Sequence, residues 1–124
     1  MTQKEYLSEL LEKNKEAVIV GSLGSISKDL ETIPHKSKRL IKGAMGCVLG
    51  IGLGIALNTK KKVIVIIGEG AFLIKMGSMS TIYKYHPENL EIVIIDNGCY
   101  KSCGGQPNNF EYIRKFKFDE EVCY

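Results

Sequence analysis

The sequence lacks most of the local patterns by which a small domain reveals its chemistry. Its four cysteines, Cys47, Cys99, Cys103 and Cys123, form no C-x-x-C pair, which excludes the usual structural zinc framework. The Cys99 to Cys103 spacing matches no common redox motif, so free thiols are expected. No G-x-x-x-x-G-K-[ST] phosphate loop occurs, and the glycines at 43, 46, 50, 52 and 54 never take the order G-x-G-x-x-G that marks a dinucleotide site. The apolar stretch 45–57 is too short and too glycine-rich to cross a membrane. Charge is nearly balanced, with 17 basic against 14 acidic residues and a formal net charge of +3, and no basic stripe suggests a nucleic-acid partner. Lys60, Lys61 and Lys62 read as a solvated turn. The segment 1–14 is charged and helix-patterned, with Tyr6, Leu7, Leu10 and Leu11 on one face, so no secretory leader and a cytoplasmic location are expected.

What is present is a pair of nearly continuous β-branched runs, Val63 to Ile67 and Ile92 to Ile95. Apolar runs without alternation are strands buried on both faces, which implies a parallel sheet in an α/β domain. Each run stops at an oxygen-bearing side chain, Glu69 in IIGEG and Asp96-Asn97 in IIDNG. The segment between them is long enough for a helical crossover, so both polar ends should emerge at the same carboxyl edge. Ligands of open α/β sheets bind at that edge.

The rest of the chain fits one domain of 124 residues. A helix is expected over 4–14, a strand over 17–20 ending at Gly21-Ser22, and a helix over 25–31 closed off before Pro34. Leu40-Ile41 suggests a short strand before Gly43. The stretch GAMGCVLGIGLGIAL then reads as a packed helix. Gly46, Gly50 and Gly54 share one helical face, where a neighbouring backbone could approach closely, and incomplete cover of that face would mark a subunit interface. A helix over 72–85, interrupted near Gly77, is ended by His86-Pro87. NGCYKSCGGQPNN has the character of a ligand-covering loop, and a last short helix is expected over 110–115.

A hard divalent cation such as Mg2+ takes oxygen ligands in nearly octahedral geometry and keeps positions for water or phosphate. Glu69, the amide oxygen of Asn97 and a nearby backbone carbonyl could supply three ligands, leaving the remainder for a diphosphate. Gly68 and Gly70 would let the backbone turn sharply, and a helix starting near Ala71 would offer unpaired N–H groups to an anion. A metal makes a carboxylate beside a diphosphate coherent. Taken singly, Glu69 reads as a helix N-terminal carboxylate and Asn97-Gly98 as an ordinary turn.

Together, Gly68-Glu69-Gly70, the crossover segment and Asn97 resemble the diphosphate-binding domain of thiamine diphosphate enzymes, whose signature is Gly-Asp-Gly followed by an Asn at the end of the next strand. GAMG before a glycine-rich helix, and DN-x-x-Y before GGQ, look most like sulfopyruvate decarboxylase β subunits and phosphonopyruvate decarboxylases. The resemblance covers roughly 18–107. It implies a three-layer αβα open parallel sheet, shortened toward the C-terminus where 108–124 form a tail, and it implies thiamine diphosphate and Mg2+ as cofactors. The implied metal ligands are Glu69, Asn97 and the Cys99 carbonyl. Gly68, Gly70 and Ala71 would meet the diphosphate, with Asn97 and Tyr100 also at the cofactor. Gly43, Ala44 and Met45 would meet the aminopyrimidine, Met45 as an apolar wedge that bends the cofactor. Gln106 and, less directly, Ser102 and His35 would face substrate.

Two departures accompany the resemblance. Glu69 stands where the family usually has Asp, and Mg2+ tolerates displaced ligands poorly. The chain also ends soon after Gln106, so that an edge strand would be left bare unless Val122 to Tyr124 pair with the sheet. The implied function is that of a carboxy-lyase subunit acting on a small 2-oxo acid with a second anionic group, which Lys36, Lys38 and Arg39 could help attract. The activating glutamate belongs to a pyrimidine-binding domain, for which this chain has no room, so a hetero-oligomer with a pyrimidine-binding partner is expected. The alternative is a non-catalytic, shortened cofactor-binding or interaction module. A flavodoxin-like or dinucleotide-binding domain would share the sheet without requiring a metal.

Overall fold

The computed structural model describes residues 2–96, 99–100, 106–107 and 120–123. Helix α1 (Gln3–Lys13) starts where the Thr2 hydroxyl accepts a hydrogen bond from the Glu5 N–H at 3.2 Å. This cap satisfies one of the donors that a helix start leaves open. Leu7 and Leu11, one turn apart, carry its buried face. Strand β1 (Val18–Gly21) and helix α2 (Ser25–Thr32) follow, then strand β2 (Lys38–Leu40), helix α3 (Val48–Leu57) and strand β3 (Val63–Gly68).

The expected interrupted helix is two helices, α4 (Glu69–Ile74) and α5 (Ser78–Tyr85). His86 ends the second in the left-handed conformation at φ 44°, stopping it just before Pro87. Strand β4 (Leu90–Asp96) completes the second buried run. Two short strands, β5 (Cys99–Tyr100) and β6 (Gln106–Pro107), pair antiparallel, and β7 (Glu120–Cys123) closes the order. The helix expected over 110–115 lies outside the described residues.

The main sheet has the order β2-β1-β3-β4-β7 and is parallel throughout. Its side chains alternate between two cores, as the two-residue period of a strand requires. Val20, Val63, Val65, Ile67, Ile92 and Ile94 pack with α3, α4 and α5. Ile19, Ile64, Ile66, Val93 and Ile95 pack with α1 and α2. Helices on both faces explain why β3 and β4 are unbroken apolar runs: Val63 to Ile67 have no exposed surface at all. Burying each such side chain stabilises the fold by about 1.5–3 kcal/mol.

The tail contributes to this sheet. Glu120–Cys123 pair in parallel register with β4, Val93 opposite Glu120 and Asp96 opposite Cys123, so β4 is an interior strand. The condition under which an edge would be left bare is therefore not met on that side.

The order also locates a switch point. From β1 the chain moves outward to β2, then returns past β1 to place β3 on its other side. Helices α2 and α3 accordingly leave on opposite faces. The carboxyl ends of β1 and β3 thus flank the crevice where α/β sheets of this kind take their ligands.

Candidate functional site

Glu69 stands at that crevice. The register pairs Gly68 of β3 with Ile95 of β4, so one residue further along each strand come Glu69 and Asp96, both at the carboxyl edge. Glu69 is 1% exposed and Asp96 is 2% exposed. Carboxylates at that depth need compensation by hydrogen bonds or opposite charge. A helix-end carboxylate serving the dipole alone gains nothing from burial, so depth separates Glu69 from its plainer role. Sequence reasoning treated Asp96 only as the stopping point of a strand. Its position as the last residue of a fully buried run was the signal that it too would be inside.

Helix α4 begins at Glu69 itself, two residues earlier than expected, with Gly68 as its N-cap. Gly68 has φ −75° and ψ 153°, and neither Gly68 nor Gly70 has positive φ. The sharp glycine turn expected there is absent, because an extended N-cap residue leads directly from strand into helix. Gly70 and Ala71 are buried in the first turn.

The 43–46 segment carries the unusual backbone instead. Ala44 has φ 49° and Gly46 has φ 87°. A left-handed alanine costs of order 1–2 kcal/mol, a strain characteristic of loops held for a purpose. The loop is tied down by Cys47 N–H donating to the Ala44 carbonyl at 2.9 Å and by Ile41 N–H donating to the Gly21 carbonyl at 2.9 Å. Gly46 packs against α4, where a Cβ would stand 2.6 Å from the Ala71 carbonyl oxygen and 2.5 Å from the Lys75 Cγ. Met45 is partly buried against the core beneath α3 and α4, whereas Gly43 and Ala44 are exposed. The fold therefore joins the 43–46 loop to α4 through Gly46, at the Ala71 carbonyl and the side chain of Lys75, which caps the end of that helix.

His35 lies elsewhere. Its Nε2 is 2.9 Å from the Asn14 carbonyl oxygen and its Nδ1 accepts from the Ser37 N–H at 3.0 Å, in the loop that enters β2. That is the amino edge, opposite Glu69. The cations thought to attract substrate are there as well. Lys36 pairs with Glu16 at 2.6 Å, and Lys38 donates to the Leu30 and Ile33 carbonyls at 2.8 and 2.7 Å. Arg39 donates to the Lys38 carbonyl at 3.2 Å. The amino edge collects the carbonyl ends of the helices, and lysines suit those ends. The structure does not bring His35, Lys36, Lys38 or Arg39 together with Glu69.

Asn97, Ser102 and the side chains of Cys99, Tyr100 and Gln106 lie outside the described residues; of these positions the backbone of β5 and β6 is given, with Tyr100 opposite Gln106. Among the described residues no three His, Cys, Asp or Glu side chains cluster as a ready cation cage. The expected set draws on an amide and a carbonyl, neither of which is of those types. Hard oxygen donors at a buried carboxyl edge suit a hard cation such as Mg2+ better than a thiolate-seeking metal.

Residues 22–122 match the thiamine pyrophosphate enzyme family, C-terminal TPP binding domain. The chain belongs to this family. Among curated relatives, sulfopyruvate decarboxylase subunit beta of Methanocaldococcus jannaschii is 43% identical over 105 residues, covering 79% of this chain and 56% of the relative. Phosphonopyruvate decarboxylase of Streptomyces viridochromogenes is 37% identical over 98 residues, covering 78% of this chain and 25% of that protein. Sulfopyruvate decarboxylase of Methanosarcina acetivorans is 34% identical over 107 residues, covering 86% and 28%. The chain thus spans little more than half of the first relative. A thiamin diphosphate-dependent enzyme structure from Mycobacterium smegmatis superposes with TM-score 0.70 at 20% identity, covering 99% of this chain and 31% of that one. The 2-oxoglutarate:ferredoxin oxidoreductase of Magnetococcus marinus superposes with TM-score 0.65 at 19% identity, covering 85% and 36%. These two likenesses establish the fold, the three-layer α/β arrangement anticipated from the paired apolar runs.

Proposed function

We propose that the chain is the diphosphate-binding subunit of a thiamine diphosphate- and Mg2+-dependent non-oxidative 2-oxo acid decarboxylase of the sulfopyruvate or phosphonopyruvate type. The observation that carries this reading is the buried Glu69 at the switch point, joined through α4 to the strained 43–46 loop. The names of the relatives, sulfopyruvate and phosphonopyruvate decarboxylases, support the reaction class.

In this reading Glu69, Asn97 and the Cys99 carbonyl would hold Mg2+, whose charge would offset that of a diphosphate beside the carboxylate. Gly68, Gly70 and Ala71 offer a first turn free of bulky side chains, with N–H groups directed at an anion. Gly43 and Ala44 present main-chain groups to the aminopyrimidine while Met45, anchored in the core, fills the space beneath it. Tyr100 and Gln106 belong to the cover over cofactor and substrate. When bound, thiamine diphosphate supplies a carbanion that adds to the 2-oxo group and an electron sink for the loss of carbon dioxide. The buried edge excludes water from that chemistry. A carboxylate that activates the cofactor comes from a pyrimidine-binding partner, making the active form a cytoplasmic hetero-oligomer.

The test is reconstitution of the chain with a pyrimidine-binding subunit, thiamine diphosphate and Mg2+, and measurement of carbon dioxide release from sulfopyruvate and phosphonopyruvate. Release that requires both chains is expected. Cofactor binding without turnover on either 2-oxo acid would instead assign the chain to a non-catalytic cofactor-binding module.

A further inference from the structure

Gly46 is buried, although Gly43 and Ala44 in the same loop are exposed. The atoms nearest to it come from the far end of α4. A Cβ built at Gly46 would stand 2.6 Å from the Ala71 carbonyl oxygen, 2.8 Å from the Lys75 Cβ and 2.5 Å from the Lys75 Cγ. The glycine thus sits in a notch between one backbone oxygen and the first two carbons of a lysine stem. Lys75 is the C-cap of α4, and its N–H donates to the Ala71 carbonyl at 3.4 Å, which ties the two walls of the notch to each other.

The loop needs such a hold. Ala44 at φ 49° and Gly46 at φ 87° are both left-handed, and a strained backbone persists only where its surroundings over-determine it. Met45 packs against the core, and the Cys47 N–H closes the turn on the Ala44 carbonyl at 2.9 Å. From α4, Lys75 supplies the side-chain carbons. Its charge has no share in this: Lys75 is exposed, and among the described residues its ammonium enters no ion pair or hydrogen bond. A lysine whose stem lies on the protein while its charge stays in water acts by packing.

We infer that Lys75 is a positioning residue whose stem clamps Gly46, keeps the 43–46 loop in its left-handed form, and thereby sets the affinity for thiamine diphosphate. The clamp is a property of this chain alone. Its effect on the cofactor rests on the proposed function, in which Gly43, Ala44 and Met45 meet the aminopyrimidine.

Two substitutions separate stem from charge. Lys75→Ala removes the Cγ, whereas Lys75→Met keeps Cβ and Cγ and removes the ammonium. Native-state exchange of the Cys47 N–H, followed by NMR in the full chain without cofactor, reads opening of the loop. One buried methylene is worth about fourfold in such an equilibrium. Exchange at Cys47 should speed up by about that factor in Lys75→Ala and keep the wild-type rate in Lys75→Met. Ile82→Val, which trims the core at α5, should also keep the wild-type rate, so that release of the loop is told apart from a general loss of stability. Calorimetric titration of thiamine diphosphate with Mg2+ into the complex with the proposed partner should follow the same order, the dissociation constant rising about fourfold in Lys75→Ala and returning to the wild-type value in Lys75→Met. Unchanged Cys47 exchange in Lys75→Ala overturns the inference. So does equal acceleration in Lys75→Met or Ile82→Val, or faster exchange with unaltered affinity in a complex that binds the cofactor. Failure of the functional reading looks different: Cys47 exchange speeds up in Lys75→Ala, which keeps the clamp, while the wild-type complex takes up no thiamine diphosphate.

Discussion

Gly52 of α3 rests directly on Val65 of β3, so closely that a Cβ built at Gly52 would stand 2.2 Å from the Val65 Cγ2. This contact sets how near α3 lies to the sheet, and thereby fixes the position of the 43–46 loop that leads into the helix. Gly52→Ala gains up to about 1 kcal/mol of helix propensity but must displace a valine that is itself fully buried. Overpacking of a core costs about 1–3 kcal/mol, and the loss should win. Urea unfolding should show a lower midpoint with an unchanged slope. Gly54→Ala, which meets nothing, should move the midpoint the other way.

Gly46→Ala probes the loop itself. The position combines φ 87° with a Cβ site 2.6 Å from a backbone oxygen of α4, and backbone cannot yield as a flexible side chain can. The expected outcome is destabilisation of about 1–3 kcal/mol together with weaker uptake of thiamine diphosphate in the presence of the partner, measured by calorimetry. Loss of stability with unaltered cofactor affinity would detach the loop from the cofactor.

Much of this arrangement could be read from the residues. Unbroken β-branched runs left no choice but a two-sided sheet, and their polar ends fell at the same edge because parallel strands share a direction. The orientation of α3 was harder. Spacing put Gly46, Gly50 and Gly54 on one helical face, but Gly46 precedes the helix with φ 87° and packs on α4; an all-apolar helix has no polar face to show which side turns inward, and the close contact with the sheet belongs to Gly52. Gly50 and Gly54 are exposed, and among the described residues a Cβ at either meets nothing within 4 Å. His35 precedes a strand, and in a parallel sheet the loop that enters a strand lies at the amino edge, away from Glu69; the strand observed at Lys38–Leu40 places His35 there.

The amino edge offers a pH prediction. Lys36 holds the Glu16 carboxyl below the ordinary glutamate range, first by a hydrogen bond and then by its charge, with smaller help from Lys61 and His35. A lowered folded-state pKa adds stability that is present above the unfolded value and is lost as pH falls through the folded one. Glu16 is fully exposed, so the contribution is small and screened by salt. Lys36→Met should lower the urea midpoint slightly at neutral pH and low ionic strength. The difference from wild type should vanish in acid, once Glu16 is protonated in both states, and also in high salt at neutral pH. A difference that persists in acid would assign Lys36 a packing role instead.

The account stands on a cation held at Glu69. The most direct measurement is calorimetric titration of thiamine diphosphate into the complex of this chain with the proposed pyrimidine-binding partner, with Mg2+ and with chelator, for the wild type and Glu69→Ala. Wild-type binding should require Mg2+, and Glu69→Ala should weaken it at least tenfold, about 1.4 kcal/mol, with no change in the thermal unfolding of the cofactor-free complex beyond that of Glu69→Gln. Equal affinity with and without Mg2+, or an unchanged dissociation constant in Glu69→Ala, would contradict it.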